Sequence, residues 1–376
     1  MSDAEKVEGA PPGRLLSLDA FRGLTIAGMI LVNNPGSWSY VYAPLAHAEW
    51  HGWTPTDLIF PYFLFIVGVA IPFSFRRRLA EGARRWDLFV HVVKRALALI
   101  GIGFFMRVFP DFDFTGIRWP GVLQRIGVVY LAAAGLYLAA GPRGRAAWTA
   151  GLLLGYWALM TLVPVPGYGA GDLSPEGNLA AWLDRALMEG HLYRGTWDPE
   201  GLLSSLPAVG TSLLGAFTGE WLLSGHPRTV LTRGLLRGGM ALVLAGLLWN
   251  VWFPINKNLW TSSYVLFSAG TGLLLLAALY WVVDLKGRRG PWLTPLLVYG
   301  TNAITVFVLS GLMTRVLGRV RIGGDEGTSL YGWIYQTLFR SWAGDHNGSL
   351  AFALCYVALW LALMTPLYRK RIFIRL

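Results

Sequence analysis

Two histidines, His47 and His51, stand in the segment LAHAEWHGW between two long apolar runs, and Asp57 opens the second run. An imidazole, with an ordinary pKa of about 6.5, can take a proton from an attacking amine or hydroxyl, typically worth about 10²–10⁴ in rate. It can also carry an acyl group on its own nitrogen. The simpler alternative for His47 is a loop histidine held by a backbone carbonyl. Asp57 suits the start of a helix, where a carboxylate caps free N–H groups and complements the dipole. It could also orient the His47 ring and stabilise its imidazolium, and the two roles are compatible. Ionisable groups at bilayer depth cost roughly 2.5–3.5 kcal/mol even on the lenient insertion scale, which makes them functional candidates by default.

Other polar residues in apolar surroundings extend the set. Asn33 and Asn34, where the first run ends, could donate to an oxyanion or an acyl carbonyl, or simply cap that helix ahead of Pro35 and Gly36. Asp19 and Arg22 are spaced to share a helix face, as an ion pair or as ligand contacts. Gln124 and Arg125 lie inside an apolar run, where an arginine needs a carboxylate, a water-filled cavity or a phosphate, which guanidinium binds bidentately. Trp197 and Asp198 combine an aromatic ring and a carboxylate, which suit a sugar, although Asp198-Pro199 also reads as a helix start. Asn256 and Lys257 occupy a polar turn, with Lys257 alternatively a snorkelling anchor. Asn302 reads as interhelical glue. The His47-Ala48-Glu49-Trp50-His51 spacing lacks the glutamate that must follow the first histidine of a zincin, so no metal site is expected. No glycine-rich phosphate loop or nucleophile elbow is present, which disfavours an NTPase or serine hydrolase of soluble type.

The elements that position these residues are membrane helices. Of 376 residues, 54% are hydrophobic and only 14% are charged, against about 25% charged in average soluble domains. Repeated apolar runs of about 20 residues fit bilayer-spanning helices. Ten spans are expected, near residues 18–34, 57–75, 88–109, 121–140, 146–163, 204–223, 236–253, 260–283, 292–315 and 349–367. The aromatic stretch 330–342 is an interfacial segment or an eleventh, re-entrant element. The fold class is therefore an all-α polytopic membrane protein, with a polar tail over 1–16 and one transmembrane domain over 17–376. The tail lacks the pattern of a cleaved signal peptide, so the first run reads as a retained anchor.

The basic residues behind the net charge of +11 cluster in short loops between apolar runs. Arg76, Arg77, Arg78, Arg84 and Arg85 form one basic loop, Arg143 and Arg145 another, Arg228 and Arg233 a third. Lys286, Arg288 and Arg289 follow, then Arg369, Lys370, Arg371 and Arg375. Every one falls on the same side as the two termini, which the positive-inside rule makes cytoplasmic. The loop 35–56 has no Lys or Arg and faces the other way. Nucleic-acid binding is excluded as an explanation, because no recognition motif accompanies the charge. The lone cysteine, Cys355, lies inside an apolar run and reads as packing.

Six stretches carry a family resemblance: SLDAFRG (residues 17–23), the His47 loop running into TDLIFPYFLFIVG (56–68), PGVLQRIGVVY (120–130), WDPEGLLSSLP (197–207), FPINKNLWTSSYVLF (253–267) and YGTNAITVFVLSG (299–311). In this order the chain resembles the heparan-α-glucosaminide N-acetyltransferase family and its bacterial relatives. The resemblance implies transfer of acetyl from cytoplasmic acetyl-CoA to the amine of a glucosamine-type sugar on the opposite side. It places the catalytic histidine on His47, the nearby asparagine on Asn33, and the Asp of the DLIFP motif on Asp57. It implies acetyl-CoA as co-substrate, lying between helices with its nucleotide on Arg22 or Arg125 beside Gln124. The acceptor sugar would meet Trp197, Asp198, Asn256 and Lys257, and family analogy implies a homodimer. Lysosomal members carry a large luminal domain ahead of the first matching span, where about 16 residues stand here. The expected setting is therefore a bacterial inner membrane and a cell-envelope amino sugar. The alternatives are an O-acetyltransferase of an envelope polysaccharide and a transporter of a glycan or small anion, which buried Arg and Asn on ten spans would equally suit.

Overall fold

The computed structural model describes residues 15–324 and 327–374, so most of the polar tail and Arg375 lie outside the described residues. Fourteen α-helices carry the architecture among those described. They are α1 (Leu16–Asn33), α2 (Ile59–Ala80), α3 (Arg85–Val108), α4 (Val122–Ala139), α5 (Pro142–Leu162), α6 (Leu179–Met188), α7 (Ser205–Leu222), α8 (Arg228–Trp249), α9 (Ser262–Leu279), α10 (Leu293–Thr301), α11 (Ala303–Arg319), α12 (Leu330–Tyr335), α13 (Ser341–Ala343) and α14 (Asp345–Arg369). Two antiparallel hairpins of two-residue strands, Pro164–Val165 with Gly169–Ala170 and Arg321–Ile322 with Thr328–Ser329, are confined to loops.

Seven helices are long and apolar enough to cross a membrane, and an eighth crossing results if α10 and α11, bent by 82° at their junction, count as one. The expected spans near 146–163 and 204–223 are helices, α5 and α7, but fall short of that apolar standard. The reason is visible in their residues. Helix α5 opens with Arg143 and Arg145, and α7 is rich in Gly, Ser and Thr. Helix α7 is also largely buried by its neighbours, so packing rather than lipid sets its composition. The stretch 330–342 forms α12, a π-turn and α13, which together are too short to span a hydrocarbon layer of about 30 Å. It packs on the start of α14, with Phe339 and Phe352 ring centroids 5.5 Å apart.

Small residues let the helices touch backbone to backbone. A Cβ on Gly68 would lie 1.9 Å from the Ser212 carbonyl oxygen, and one on Gly215 would lie 2.2 Å from that of Phe65, so α2 and α7 are locked in register. Helices α1 and α10 meet in the same way, where a Cβ on Gly23 would sit 1.8 Å from the Leu296 oxygen and one on Gly300 1.9 Å from that of Asp19. The glycines of the SLDAFRG and YGTN stretches are thus close-approach positions.

Successive long helices run in alternating directions. One end of the bundle gathers the starts of α2, α4, α7, α9 and α14 and the ends of α1, α3, α5, α8 and α11. The basic loops, the start of α1 and the end of α14 fall at the other end. Substituting Gly215 by Val should destabilise the fold by about 1–3 kcal/mol or more, because a packed interface cannot absorb the added atoms. Gly151, whose Cβ would meet nothing within 4 Å, should tolerate Ala with a gain of up to about 1 kcal/mol. Melting temperatures of the two variants in detergent separate these expectations.

Candidate functional site

The His47 end of the bundle is organised around one carboxylate. Thr54-Pro55 turns the chain into a single 3₁₀ turn, Pro55–Leu58, and Asp57 falls on its third residue. Its Oδ2 accepts from the backbone N–H groups of Ala48 and Thr54, each at 3.0 Å. Its Oδ1 lies 2.6 Å from Nδ1 of His47. The Thr54 hydroxyl, with one hydrogen to give, donates to the Ala46 carbonyl at 2.7 Å. Tyr264, in the first turn of α9, donates its hydroxyl to the backbone carbonyl of Asp57. The helix-cap and ring-orienting roles therefore coincide. The Asp57 side chain is 2% exposed and that of His47 48% exposed, so the pair presents imidazole, not carboxylate, to the space above. With Nδ1–H donating to Asp57, the Nε2 lone pair is left available.

A second loop, between α8 and α9, meets this one. Asn250 Oδ1 accepts from Ile255 N–H at 2.7 Å, and Asn256 Oδ1 accepts from Leu259 N–H at 2.9 Å. Gly52, at φ +94°, donates its N–H to the Ile255 carbonyl at 2.8 Å. A side chain is strained in that left-handed region, so glycine is what lets the His51 loop lie alongside. The Asn256 amide nitrogen reaches His51 Nδ1 at 3.3 Å, and burial lowers the His51 pKa from its usual value. Asn256 is fully buried and spends its amide on the turn, which leaves it a scaffold rather than a sugar contact. Lys257 is thereby aimed at His47, with Nζ 3.1 Å from Nδ1 and 3.3 Å from Nε2, and 3.6 Å from Asp57 Oδ1. Burial lowers the Lys257 pKa against the pull of Asp57.

A third wall comes from the segment between α6 and α7. Trp197 meets Trp50 edge-on, with ring centroids 5.1 Å apart, and Trp50 donates its indole N–H to the Leu173 carbonyl. Asp198 is buried, engaged bidentately by Arg118, and also accepts from the N–H groups of Tyr193 and Glu200. Arg118 pairs with Glu200 as well. Asp198 therefore braces its loop and has little capacity left for a ligand. Asp184, on α6, accepts from Leu202 N–H at 2.9 Å and packs against Gly201, and burial raises its pKa to about 7.

The expected cofactor residues separate. Arg125, buried near the start of α4, donates to the Gly201 carbonyl at 2.9 Å and to the Ser204 hydroxyl, and lies over the Trp260 ring at 5.1 Å. Its Nε and Nη1 have no hydrogen-bond partner among the described residues. Gln124 is wedged against Gly103 and Gly121, so it fills space between α3 and the preceding loop. Arg22 pairs with Asp19 at 2.9 Å and reaches the Gly300 carbonyl. At about 1.5 Å per residue, Arg22 lies roughly 16 Å along α1 from Asn33, toward the basic end of the bundle. Asn33 ends α1, exposed, with no hydrogen bond among the described residues. Its neighbour Asn34 is buried and used up, donating to the Ile30 carbonyl and accepting from Thr314. Asn302, at the break between α10 and α11, exchanges hydrogen bonds with the backbone of Ile372 and Ile374 in the segment after α14, so it ties the chain's last described residues to that break rather than joining two helices. Among the described residues no group of three or more His, Cys, Asp or Glu side chains is arranged to hold a metal.

Sequence reasoning did not single out Arg118, Glu200, Asp184, Tyr264 or Trp260. Asp184 lies in none of the quoted stretches, whereas Tyr264 and Trp260 stand within FPINKNLWTSSYVLF and Glu200 within WDPEGLLSSLP, and only folding sets each beside its partner. Arg118 had one usable clue, a cation in a loop expected to be poor in basic residues.

Fold and site together define a polytopic, all-α integral membrane protein with a His–Asp pair at one end of its helix bundle. Residues 14–111 match the family described as a domain of unknown function (DUF5009). The chain is 32% identical, over 97% of its length, to the heparan-alpha-glucosaminide N-acetyltransferase of Homo sapiens. It is 30% identical, over 96% of its length, to that of Mus musculus. It spans 60% of the length of each of these relatives. The chain is a homologue of the heparan-alpha-glucosaminide N-acetyltransferases along nearly its whole extent, as its motifs suggested.

The raised pKa of Asp184 makes a stability prediction. Its proton is held more tightly in the folded chain than at the ordinary 3.8, so its ionisation costs stability as pH rises from there to about 7 and then levels off. Asp184→Asn keeps the acceptor for Leu202 and removes the charge. The variant should melt higher than wild type at pH 8, with the gap closing as pH falls toward 4, in thermal unfolding across that range.

Proposed function

We propose that this protein is a transmembrane acetyltransferase that moves acetyl from acetyl-CoA to the amine of a glucosamine-type sugar. The observation that carries the reading is the His47–Asp57 pair, with one ring nitrogen held at 2.6 Å by a buried carboxylate and the other available, in a half-exposed loop above a helix bundle. Relatives named as N-acetyltransferases match over the same residues.

The chemistry follows from the pair. At neutral pH a sugar ammonium must lose a proton before its nitrogen can attack, and a neutral imidazole suits that task. Nε2 of His47 either takes this proton or takes the acetyl group first and passes it on. Asp57 fixes the Nδ1–H tautomer and stabilises the imidazolium as it forms. Asn33, an unengaged amide at the same end of the bundle, would donate to the acyl carbonyl when substrate is bound. Trp197, beside Trp50, offers an aromatic wall for the sugar.

The charge distribution supports a sidedness. The basic loops collect at the end opposite His47, and the positive-inside rule makes that end cytoplasmic. Acetyl-CoA would enter there with its nucleotide toward Arg22, while the buried Arg125, near the other end, would meet the acyl arm rather than the nucleotide. The acceptor would arrive from the opposite side, in a bacterial inner membrane the periplasm. We further propose a homodimer, by analogy with the family.

Acetyl transfer from labelled acetyl-CoA to glucosamine by purified protein in detergent tests the reading. His47→Ala should abolish transfer while acetyl-CoA still raises the melting temperature. Asp57→Asn should lower kcat by about 10²-fold or more, because the ring loses its fixed tautomer. Absence of both transfer and acetyl-CoA stabilisation in the wild type would sink the proposal.

A further inference from the structure

Lys257 is more than a cation near a histidine. Its ammonium is almost equally distant from the two ring nitrogens, 3.1 Å from Nδ1 and 3.3 Å from Nε2. In the plane of the ring that position would overlap the carbon between them, so Nζ must lie over the ring face. Neither contact is then a hydrogen bond to a lone pair. The Nδ1–H remains with Asp57 and the in-plane lone pair of Nε2 remains open. Lys257 is held where it is by the turn built on Asn256 and by Asp57, whose Oδ1 is 3.6 Å from Nζ. Only 16% of its side chain is exposed, so it cannot serve as a surface anchor.

An acyl group attacked by Nε2 has its carbon along the lone pair, in the ring plane, and rotation about the forming N–C bond can turn its oxygen toward the ring face that carries Lys257. We infer that Lys257 is a catalytic residue that donates from the ring face to the acyl oxygen as negative charge builds there, the inference resting on the acetyltransferase reading. Either Nε2 attacks the carbonyl carbon or the acceptor amine does so while Nε2 takes its proton. In both routes the carbonyl electron pair moves onto oxygen beside the ammonium. When the pair returns, the C–S bond breaks and the thiolate of CoA leaves. If Nε2 carried the acetyl, the amine then attacks it and gives its proton to the regenerated Nε2. That proton finally reaches the thiolate, so atoms and charge balance. An ammonium already ordered in a site of low dielectric needs no reorganisation at the moment charge develops, which is how such donors act.

The test compares Lys257→Met, Lys257→Gln and Lys257→Arg with wild type and His47→Ala in detergent. Readouts are initial rates from labelled acetyl-CoA to glucosamine and the melting temperature with and without acetyl-CoA. Loss of one such donor is expected to lower kcat by about 10²–10³-fold, with KM for acetyl-CoA and its thermal stabilisation little changed. The Arg and Gln variants, which keep donors, should recover part of the rate. A Met variant that turns over within a few-fold of wild type would overturn the inference. So would a loss seen in KM and thermal stabilisation rather than in kcat, which would make Lys257 a binding residue. Size exclusion shows whether the Met variant folds; if it does not, the Gln variant, a shorter and uncharged donor, decides the matter, a rate well below wild type supporting the inference and a wild-type rate overturning it. Transfer that His47→Ala abolishes and Lys257→Met spares sinks this inference alone, whereas a wild type that neither transfers acetyl nor is stabilised by acetyl-CoA sinks the underlying reading.

Discussion

The His47 end of this molecule depends on the burial of one carboxylate. Asp57 is almost without solvent, and a charge removed from water must find hydrogen bonds or neutralise. The Ala48 and Thr54 N–H groups, the His47 imidazole and the Lys257 ammonium are what it finds. Satisfying that single group closes the loop between α1 and α2, selects the tautomer of His47, and draws in the turn between α8 and α9. Two chain segments, far apart in sequence, are tied to one pair of oxygens.

The bundle makes that arrangement possible by close packing. Backbone contacts at Gly68 and Gly215, and at Gly23 and Gly300, fix how the helices slide against each other, and a shift along any axis would separate the loops they end in. The same alternation of direction brings helix starts and helix ends together at the His47 end, so their partial charges largely oppose one another. Arg118, Arg125 and Lys257 add full charges. Asp198 and Glu200 hold Arg118 in place, and Asp57 lies beside Lys257.

Arg22 and Arg125 illustrate what one-dimensional reading misses. Each is a cation within or beside an apolar run, and each invites the same phosphate assignment. Folding puts them toward opposite ends of the bundle, one in an ion pair with Asp19 and one under the loop before α7. Asn256 and Asp198, expected as sugar contacts from their residue types, have their polar atoms engaged within the protein. A polar residue in an apolar neighbourhood must have a partner, but the sequence does not say whether that partner is protein or ligand.

The sequence by itself determined the class of architecture, because long apolar runs leave the backbone no economical state but helix in a bilayer. It also determined the basic-rich and basic-poor ends, and the candidacy of His47 and Asp57, since ionisable groups beside such runs are too costly to keep without use. Tertiary structure alone decided that Lys257 lies over the His47 ring, that Asn256 builds the turn that holds it there, and that Asp184 is buried against Gly201. These outcomes rest on contacts between residues distant in the chain, whose geometry is set by how glycine-lined helices pack, and no local spacing encodes it.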